Sequence, residues 1–219
     1  MFRTVFVAGA GAVLAAATLS PSAGAAPGSP SAAPPEKITI DVAQVNGSGC
    51  RPGSASVAVS EDNTAFTVTY SEYLAKVGKD TAGTDFRKNC QLGLRMNVPQ
   101  GYTFAVTQAD YRGFASLENG ASAEHKASYY FQGMTQTSAR SHTLYGPYQN
   151  NWLVSDSVPV EALVYHPCGA KRNLNINTEL RVNGGSSDTA NTTSFVTVDS
   201  TDGSISTLYH FSWKTCAKR

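Results

Sequence analysis

Apolar and polar residues alternate with a period of two along most of the chain. The clearest alternating runs cover residues 38–42, 57–59, 66–70, 90–98, 102–106 and 174–182, and shorter ones cover 127–131, 152–155, 162–166, 195–198 and 205–213. This period is that of a β-strand with one buried face. No run of ten residues carries an apolar stripe of helical period, and residues 73–77 alone predict a short helical turn. The pattern predicts an all-β protein.

Turn-forming residues separate these runs. Glu61-Asp62-Asn63 divides two of them, Pro99 and Gly101 end another, and the turn predicted at residues 199–203 contains Gly203. Short alternating strands joined by polar, glycine-containing turns are typical of β-sandwiches. We therefore predict a single domain over residues 36–219 with a jelly-roll-like β-sandwich fold of about nine to eleven antiparallel strands.

The N-terminal residues differ from the rest of the chain. Arg3 precedes an uncharged apolar run at residues 4–19, and Ala23-Gly24-Ala25 supplies small residues for cleavage. This arrangement predicts a signal peptide at residues 1–25 and a secreted, extracellular protein without a membrane attachment after cleavage. A membrane anchor is the alternative, but the run is shorter than the roughly 20 residues that span a bilayer.

Residues 26–35 consist mainly of alanine, proline and serine and carry no charge until Glu36. Such a composition buries too little apolar surface to offset the entropy of ordering, so it predicts a disordered tether. An arm that becomes ordered on a partner is the alternative.

Charge excludes some partner classes. The chain has 17 basic and 16 acidic residues, and loss of Arg3 with the signal peptide balances them. A nucleic-acid partner would require a basic stripe, and an anionic membrane surface would require a basic cluster. We expect neither partner.

All four cysteines, Cys50, Cys90, Cys168 and Cys216, follow the predicted signal peptide. An even number in an exported chain predicts two disulfides, whereas a zinc site would require closely spaced pairs. Three pairings are possible. We favour Cys50–Cys90, because a hairpin between two strands would bring both to one end, and with it Cys168–Cys216. The second pairing requires the chain to cross between sheets or to make a long excursion.

Several short segments, taken in order, resemble a known family. They are NGSGC at 46–50, NC at 89–90, ADYRG at 109–113, YYFQG at 129–133, CG at 168–169, LNINT at 174–178, VDSTDG at 198–203 and WKTC at 213–216. The set resembles a family of small secreted proteins of filamentous bacteria and fungi that is defined by a domain of unknown function. The resemblance runs from Ile38 to Cys216. It implies export, paired cysteines and a β-rich domain, and it implies no activity.

Recognisable catalytic and metal motifs are absent from the sequence. The four histidines show no metal-binding spacing, and no G-x-S-x-G motif marks a nucleophilic serine. We therefore predict no metal and no cofactor. A pair of catalytic carboxylates is a spatial property that a sequence does not reveal, so a glycoside hydrolase stays an alternative.

The most suggestive segment for ligand binding is Asp110-Tyr111-Arg112-Gly113. In-phase continuation of the preceding strand places Gln108 and Asp110 inward, unless a bulge shifts the register. Asp110 and Arg112 then form either a structural ion pair or part of a ligand site. The candidate ligand-binding residues are Asp110, Tyr111, Arg112, Tyr129, Tyr130 and Trp152, with core packing as the alternative for the aromatic residues.

The functional prediction that fits these observations is a non-catalytic extracellular binding or adaptor module. Its partner would be an extracellular polysaccharide or another secreted protein. The alternatives are a cell-wall-acting glycoside hydrolase or other secreted hydrolase, and a structural component of an extracellular complex that is attached through residues 26–35.

Overall fold

The computed structural model describes residues 32–134, 138–198 and 207–217. The predicted signal peptide, most of the predicted tether and the predicted turn at 199–203 lie outside the described residues. Apart from one 3-10 turn at Val160–Ala162, the elements are twelve β-strands. They are β1 (Thr39–Asn46), β2 (Ala55–Val59), β3 (Ala65–Tyr70), β4 (Leu74–Gly78), β5 (Arg87–Asn97), β6 (Tyr102–Leu117), β7 (Ser122–Phe131), β8 (Ser138–Tyr145), β9 (Tyr148–Ser157), β10 (Leu174–Asn183), β11 (Thr193–Thr197) and β12 (Thr207–Thr215).

Two antiparallel sheets form the fold. The first sheet has the order β1-β5-β10-β7-β8, and the second has the order β2-β3-β12-β6-β11-β4, with β9 also paired to β6. Apolar side chains from both sheets form one core between them, including Phe66, Leu94 and Ile176. The predicted β-sandwich is therefore confirmed, with twelve described strands instead of nine to eleven.

One row of the second sheet consists of two separate strands, β11 and β12. On one side of β6, β12 pairs with residues 102–110 and β11 pairs with residues 115–116, so β11 and β12 lie end to end. β9 occupies the whole opposite side of β6 over residues 108–117. The described parts of this row end at Val198 and begin again at Thr207.

A β-bulge in β6 reverses which side chains face the core. His210 on β12 lies opposite Gln108, but the next residue, Phe211, lies opposite Val106, so Thr107 is the extra residue. Phe104 and Val106 face the core before the bulge, whereas Ala109 and Tyr111 face it afterwards. The bulge places Gln108 and Asp110 on the outer face of the sheet, so the in-phase expectation does not hold.

Two of the predicted elements are wrong. Residues 73–77, predicted as a helical turn, belong mostly to β4, whose five residues pair with β11. A run of five residues is too short to distinguish the two periods, and the partner strand decides the conformation. Residues 162–166, predicted as a strand, follow the 3-10 turn without joining a ladder. There the His166 N–H donates to the Phe104 carbonyl at 2.8 Å.

The disulfides join Cys50 to Cys90 and Cys168 to Cys216, as the sequence favoured. Cys50 follows β1 and Cys90 lies in β5, its neighbour in the first sheet. The second bond is possible because the long connection between β9 and β10 returns to the start of β6. The Thr103 hydroxyl donates to the His166 carbonyl there, and the Cys216 N–H donates to the Gly101 carbonyl.

Asn63 connects three parts of the chain through hydrogen bonds. Its buried carboxamide accepts from Ile38 N–H at 3.1 Å and donates to the carbonyls of Pro34 and Glu36, each at 2.9 Å. Its own carbonyl accepts from the Trp213 indole at 2.9 Å. These contacts fix the segment before β1 and the β2–β3 turn against β12, and Pro34 is already buried there.

We expect Asn63→Ala to destabilise the protein by about 2–4 kcal/mol, because it leaves the Ile38 N–H and two carbonyl oxygens without partners. Asn63 has a φ of 57°, so part of the loss comes from the backbone. Asp80→Ala is the matched control, because Asp80 has a φ of 56° and is exposed. Urea unfolding measures both variants; equal losses would contradict the role of the carboxamide.

Candidate functional site

A polar cluster lies on the outer face of the second sheet, where β9, β6 and β12 meet. The Asp110 cluster consists of Asp110, Gln108, Ser155 and His210. Ser155 Oγ donates to Asp110 Oδ1 at 2.6 Å, and Gln108 Nε2 donates to the same oxygen at 2.8 Å. His210 Nε2 lies 2.9 Å from Asp110 Oδ2. Side chains from three adjacent strands therefore converge on one carboxylate.

Strand register positions these groups. Ser155 lies directly opposite Asp110 on β9, and His210 lies opposite Gln108 on β12. Side chains directly opposite each other across a ladder have Cβ atoms about 4.5–5.5 Å apart, which suits short polar contacts. The bulge at Thr107 is essential, because without it Gln108 and Asp110 would face the core while His210 faced outward.

The Asp110 carboxylate stays ionised although only 9% of the residue is exposed. Burial by itself would raise the pKa of Asp110. Hydrogen bonds from Ser155, Gln108 and His210 outweigh burial, and the net result is a pKa below the ordinary value. The outer face thus holds a negative charge that protein hydrogen bonds, more than water, stabilise.

Arg112 lies two residues further along β6 on the same face, and it is exposed. Within the described residues, Arg112 forms no ion pair, whereas Arg51, Arg87 and Arg181 all do. Its neighbour across the ladder is Leu153, which is 59% exposed. A guanidinium with free donors therefore lies between the Asp110 cluster and an apolar border.

Half-buried aromatic rings extend this border. Phe114 on β6 and Phe195 on β11 lie on the outer face with ring centroids 5.9 Å apart. The surface formed by the Asp110 cluster, Arg112, Leu153 and these two rings is called the β6 surface below. It combines hydrogen-bond donors, acceptors and exposed apolar carbon.

The geometry of the cluster does not match a serine hydrolase. Ser155 Oγ contacts the Asp110 carboxylate, whereas a catalytic serine contacts the histidine that removes its proton. Asp156, the residue after Ser155 on β9, faces the interior instead. Among the residues that the structure describes, no group of three or more histidine, cysteine, aspartate and glutamate side chains could hold a metal ion.

A second polar cluster lies inside the sandwich and was missed from the sequence. Asp156 Oδ1 on β9 lies 2.7 Å from His142 Nε2 on β8, so this pair connects the two sheets. His125 lies directly opposite His142 on β7, with its ring centroid 4.4 Å from that of Tyr111. No sequence signal identifies this cluster, because its members lie on separate strands whose register is unknown beforehand.

Burial, together with a smaller contribution from the neighbouring His142, lowers the pKa of His125 to about 3. Neither of its ring nitrogens has a hydrogen-bond partner among the described residues, and the same is true of Trp152 Nε1. His125 is consequently a neutral side chain in the folded protein at ordinary pH.

The structure separates the predicted ligand-binding residues. Asp110 and Arg112 share the outer face of β6, but Tyr111 and Trp152 are buried in the core. Tyr129 and Tyr130 lie on β7 in the first sheet, where adjacent residues point to opposite faces. Both line a cavity of about 40 Å³ with Phe131, which has room for a few water molecules only. Their roles in binding stay predictions.

Gly113 is explained by packing. A Cβ at this position would lie 1.9 Å from the Thr197 carbonyl oxygen and 2.7 Å from the Trp152 ring. Trp152 lies opposite Gly113 on β9, so its ring covers the space that a side chain would fill. The four residues from Asp110 to Gly113 thus alternate between surface and core.

A sequence profile described as "Domain of unknown function (DUF4360)" matches residues 36–216. The chain belongs to the DUF4360 family. A fungal relative, described as an uncharacterized secreted protein of Arthroderma benhamiae (strain ATCC MYA-4681 / CBS 112371), is 35% identical over 182 residues, which cover 83% of this chain and 73% of the relative. The resemblance inferred from short motifs is therefore confirmed.

Solved structures offer DUF4360 little guidance. The enzymatically active domain of tailspike protein 4 of bacteriophage CBA120 is 13% identical with a TM-score of 0.24. The match covers 82% of this chain but only 19% of that protein, so it supports no statement about function. In the described part of the chain, no helix has the length and apolar character to cross a membrane.

We expect Gly113→Ala to destabilise this DUF4360 domain by about 1–3 kcal/mol or more, since backbone atoms of β11 must move to admit the methyl group. Gly53→Ala is the control for the loss of a glycine, because nothing lies within 4 Å of a Cβ there. Gly53 has a φ of 86°, so backbone strain alone affects the control. Thermal unfolding measures both; a larger loss in the control would contradict the packing explanation.

Stability should fall in mild acid because of His125. The unfolded chain binds a proton at this residue below about pH 6.5, while the folded chain does not until about pH 3. The contribution of neutral His125 to the free energy of unfolding is therefore fully present above pH 6.5. Below that pH it decreases by up to about 1.4 kcal/mol per pH unit. His166, whose pKa burial also lowers, adds to the same trend.

His125→Phe removes the titrating group and keeps a ring beside Tyr111. Urea unfolding between about pH 6.5 and 5.5, above the range in which ordinary carboxylates titrate, should show a shallower decrease of stability for the variant. Equal slopes for the two proteins would contradict the assignment of the effect to His125.

Proposed function

We propose that the protein is a secreted, non-catalytic binding module whose β6 surface recognises an extracellular polysaccharide. The observation that carries this proposal is the ionised, nearly buried Asp110 beside an exposed Arg112 that has no ion-pair partner in the described part of the chain. Burying an ionised carboxylate on a sheet face costs free energy and is unnecessary for folding alone. Charged or hydrogen-bonded groups of this kind are typical of binding sites.

The chemistry of the surface favours a sugar. Each sugar hydroxyl both donates and accepts hydrogen bonds, and the β6 surface provides Arg112 as a donor, Asp110 as an acceptor and His210 beside them. Exposed Leu153 and the half-buried Phe114 ring provide apolar contact for the carbon face of a sugar ring. The surface is the outer face of a β-sheet, which suits an extended chain better than a small molecule that needs an enclosing pocket.

Export is part of the proposal. The predicted signal peptide at residues 1–25 supports it, and so does the description of the fungal relative as secreted. The two disulfides are typical of proteins from oxidising compartments.

Direct binding measurements test the proposal. The purified chain from residue 26 is incubated with insoluble cell-wall polysaccharides and with a glycan array. We expect Arg112→Ala to weaken binding at least tenfold, because it removes the exposed guanidinium of the β6 surface, which pairs with no carboxylate of the described residues. Arg140→Ala is the control, since Arg140 is an exposed arginine on β8 in the first sheet.

Three outcomes would contradict the proposal. They are the absence of binding to any polysaccharide, equal losses in the Arg112 and Arg140 variants, and release of reducing ends that disappears in an Asp110→Asn variant. The last outcome would establish the hydrolase alternative. Binding to a secreted protein but to no glycan would establish the adaptor alternative.

A further inference from the structure

The edge strand β2 lacks the usual protection against pairing with another chain. It is the outer strand of the second sheet, and β3 is its one strand partner among the described elements. Edge strands usually contain charges, proline or bulges that prevent further pairing. The other described strands with an open edge, β1, β4, β8 and β9, each contain an ionisable residue, whereas Ala55–Val59 contains none.

The backbone N–H and carbonyl groups of successive β2 residues point alternately toward β3 and toward the open edge. The Ser60 N–H donates to the Ala65 carbonyl, and the Ser71 N–H donates to the Ser54 carbonyl, each at 2.9 Å. In an antiparallel ladder such hydrogen-bonded pairs occur at every second residue, so Ser56 and Ala58 also face β3. The N–H and carbonyl groups of Ala55, Val57 and Val59 consequently face the open edge.

We propose that β2 pairs with β2 of a second copy of this chain, with Val57 opposite Val57 across a two-fold axis. This register sets Ala55 opposite Val59 of the copy, and Val59 opposite Ala55. Each of the three pairs exchanges two hydrogen bonds, so every outward backbone group of β2 obtains a partner. A register shifted by one residue would leave some of these groups unpaired.

The side chains around Val57 also suit this symmetry. In the segment Ser54-Ala55-Ser56-Val57-Ala58-Val59-Ser60, every residue is serine, alanine or valine, and Ser54 and Ser60 are equidistant from Val57. Antiparallel pairing about its centre therefore places small, uncharged residues opposite one another. Val57 and Val59 are half-buried against the core, and their counterparts in the copy would extend the same apolar row.

Charges at the two ends of the segment are complementary in the same register. Arg51, which also pairs with Glu72 of its own chain, precedes the segment. Glu61 and Asp62 follow it, and these residues are all exposed. The two-fold axis brings Arg51 of one copy close to Glu61 and Asp62 of the other at both ends of the paired strands. Like charges would meet at these positions if the two strands ran parallel, so the antiparallel arrangement is favoured.

Pairing of this kind would place both β6 surfaces on the same side of one continuous sheet, because the two-fold axis is perpendicular to it. Under the proposed function, a pair of surfaces could bind one long polysaccharide or two adjacent chains with increased avidity. This consequence rests on the proposed function, whereas the pairing itself does not.

Sedimentation equilibrium of the chain from residue 26, over a hundredfold range of concentration, tests the pairing. We expect a monomer–dimer equilibrium that Val57→Pro weakens at least tenfold. Proline at position 57 removes only an outward N–H and keeps the hydrogen bonds to β3. Gln149→Pro is the control: the Val158 N–H donates to the Thr107 carbonyl, so odd-numbered β9 residues, including Gln149, face away from β6.

Amide hydrogen exchange provides a second measurement that needs no variant. We expect protection of the Val57 amide to increase with protein concentration, while protection of the Ala58 amide is already high in the monomer. A chain that stays monomeric over the range would overturn the proposal. So would a dimer that folded Val57→Pro does not weaken, or one in which exchange at Val57 is independent of concentration.

Discussion

The outer-face cluster depends on one extra residue in the longest strand. Thr107 forms a bulge between β6 and β12, and its hydroxyl donates to the His210 carbonyl at 3.2 Å. Even-numbered residues of β6 therefore face the core before the bulge, and odd-numbered residues face it afterwards. Without the bulge, either Tyr111 would leave the core or the hydrophobic start of β6 would face solvent. The same local irregularity that preserves the core thus presents Asp110 to the surface.

Polar groups that hold the sandwich together are separate from those on the β6 surface. Asn63 satisfies every hydrogen-bonding group of its carboxamide, and Asp156 connects the sheets through His142. Both lie in the interior, where an unpaired partner is costly. The Asp110 cluster has a similar density of hydrogen bonds but lies on the outer face of the second sheet. Residues of this face can therefore change without loss of the interior contacts that define the fold.

How much could be predicted from the sequence depended on the length and regularity of each strand. In β5 and β10 the even-numbered residues face the core along the whole strand, so their buried faces follow from the alternation alone. β4 is too short for its period to be recognised, and it is defined by pairing with β11. The bulge in β6 has no local signal, because Thr107 is an ordinary strand residue whose position matters only opposite His210. The interior histidines came together through register, which the order of residues does not reveal.

The segment from Asp110 to Gly113 shows why neighbouring residues in a sequence motif need not form one site. Asp110 and Arg112 lie on the outer face of the sheet, while Tyr111 lies in the core and Gly113 makes room for the Trp152 ring. Alternate residues of one strand therefore meet different structural demands. Under the proposed function, substitutions at Tyr111 or Gly113 would affect ligand binding only through the position of β6. A surface function of this domain is consequently best sought at the even-numbered residues of β6 and at the residues opposite them on β9 and β12.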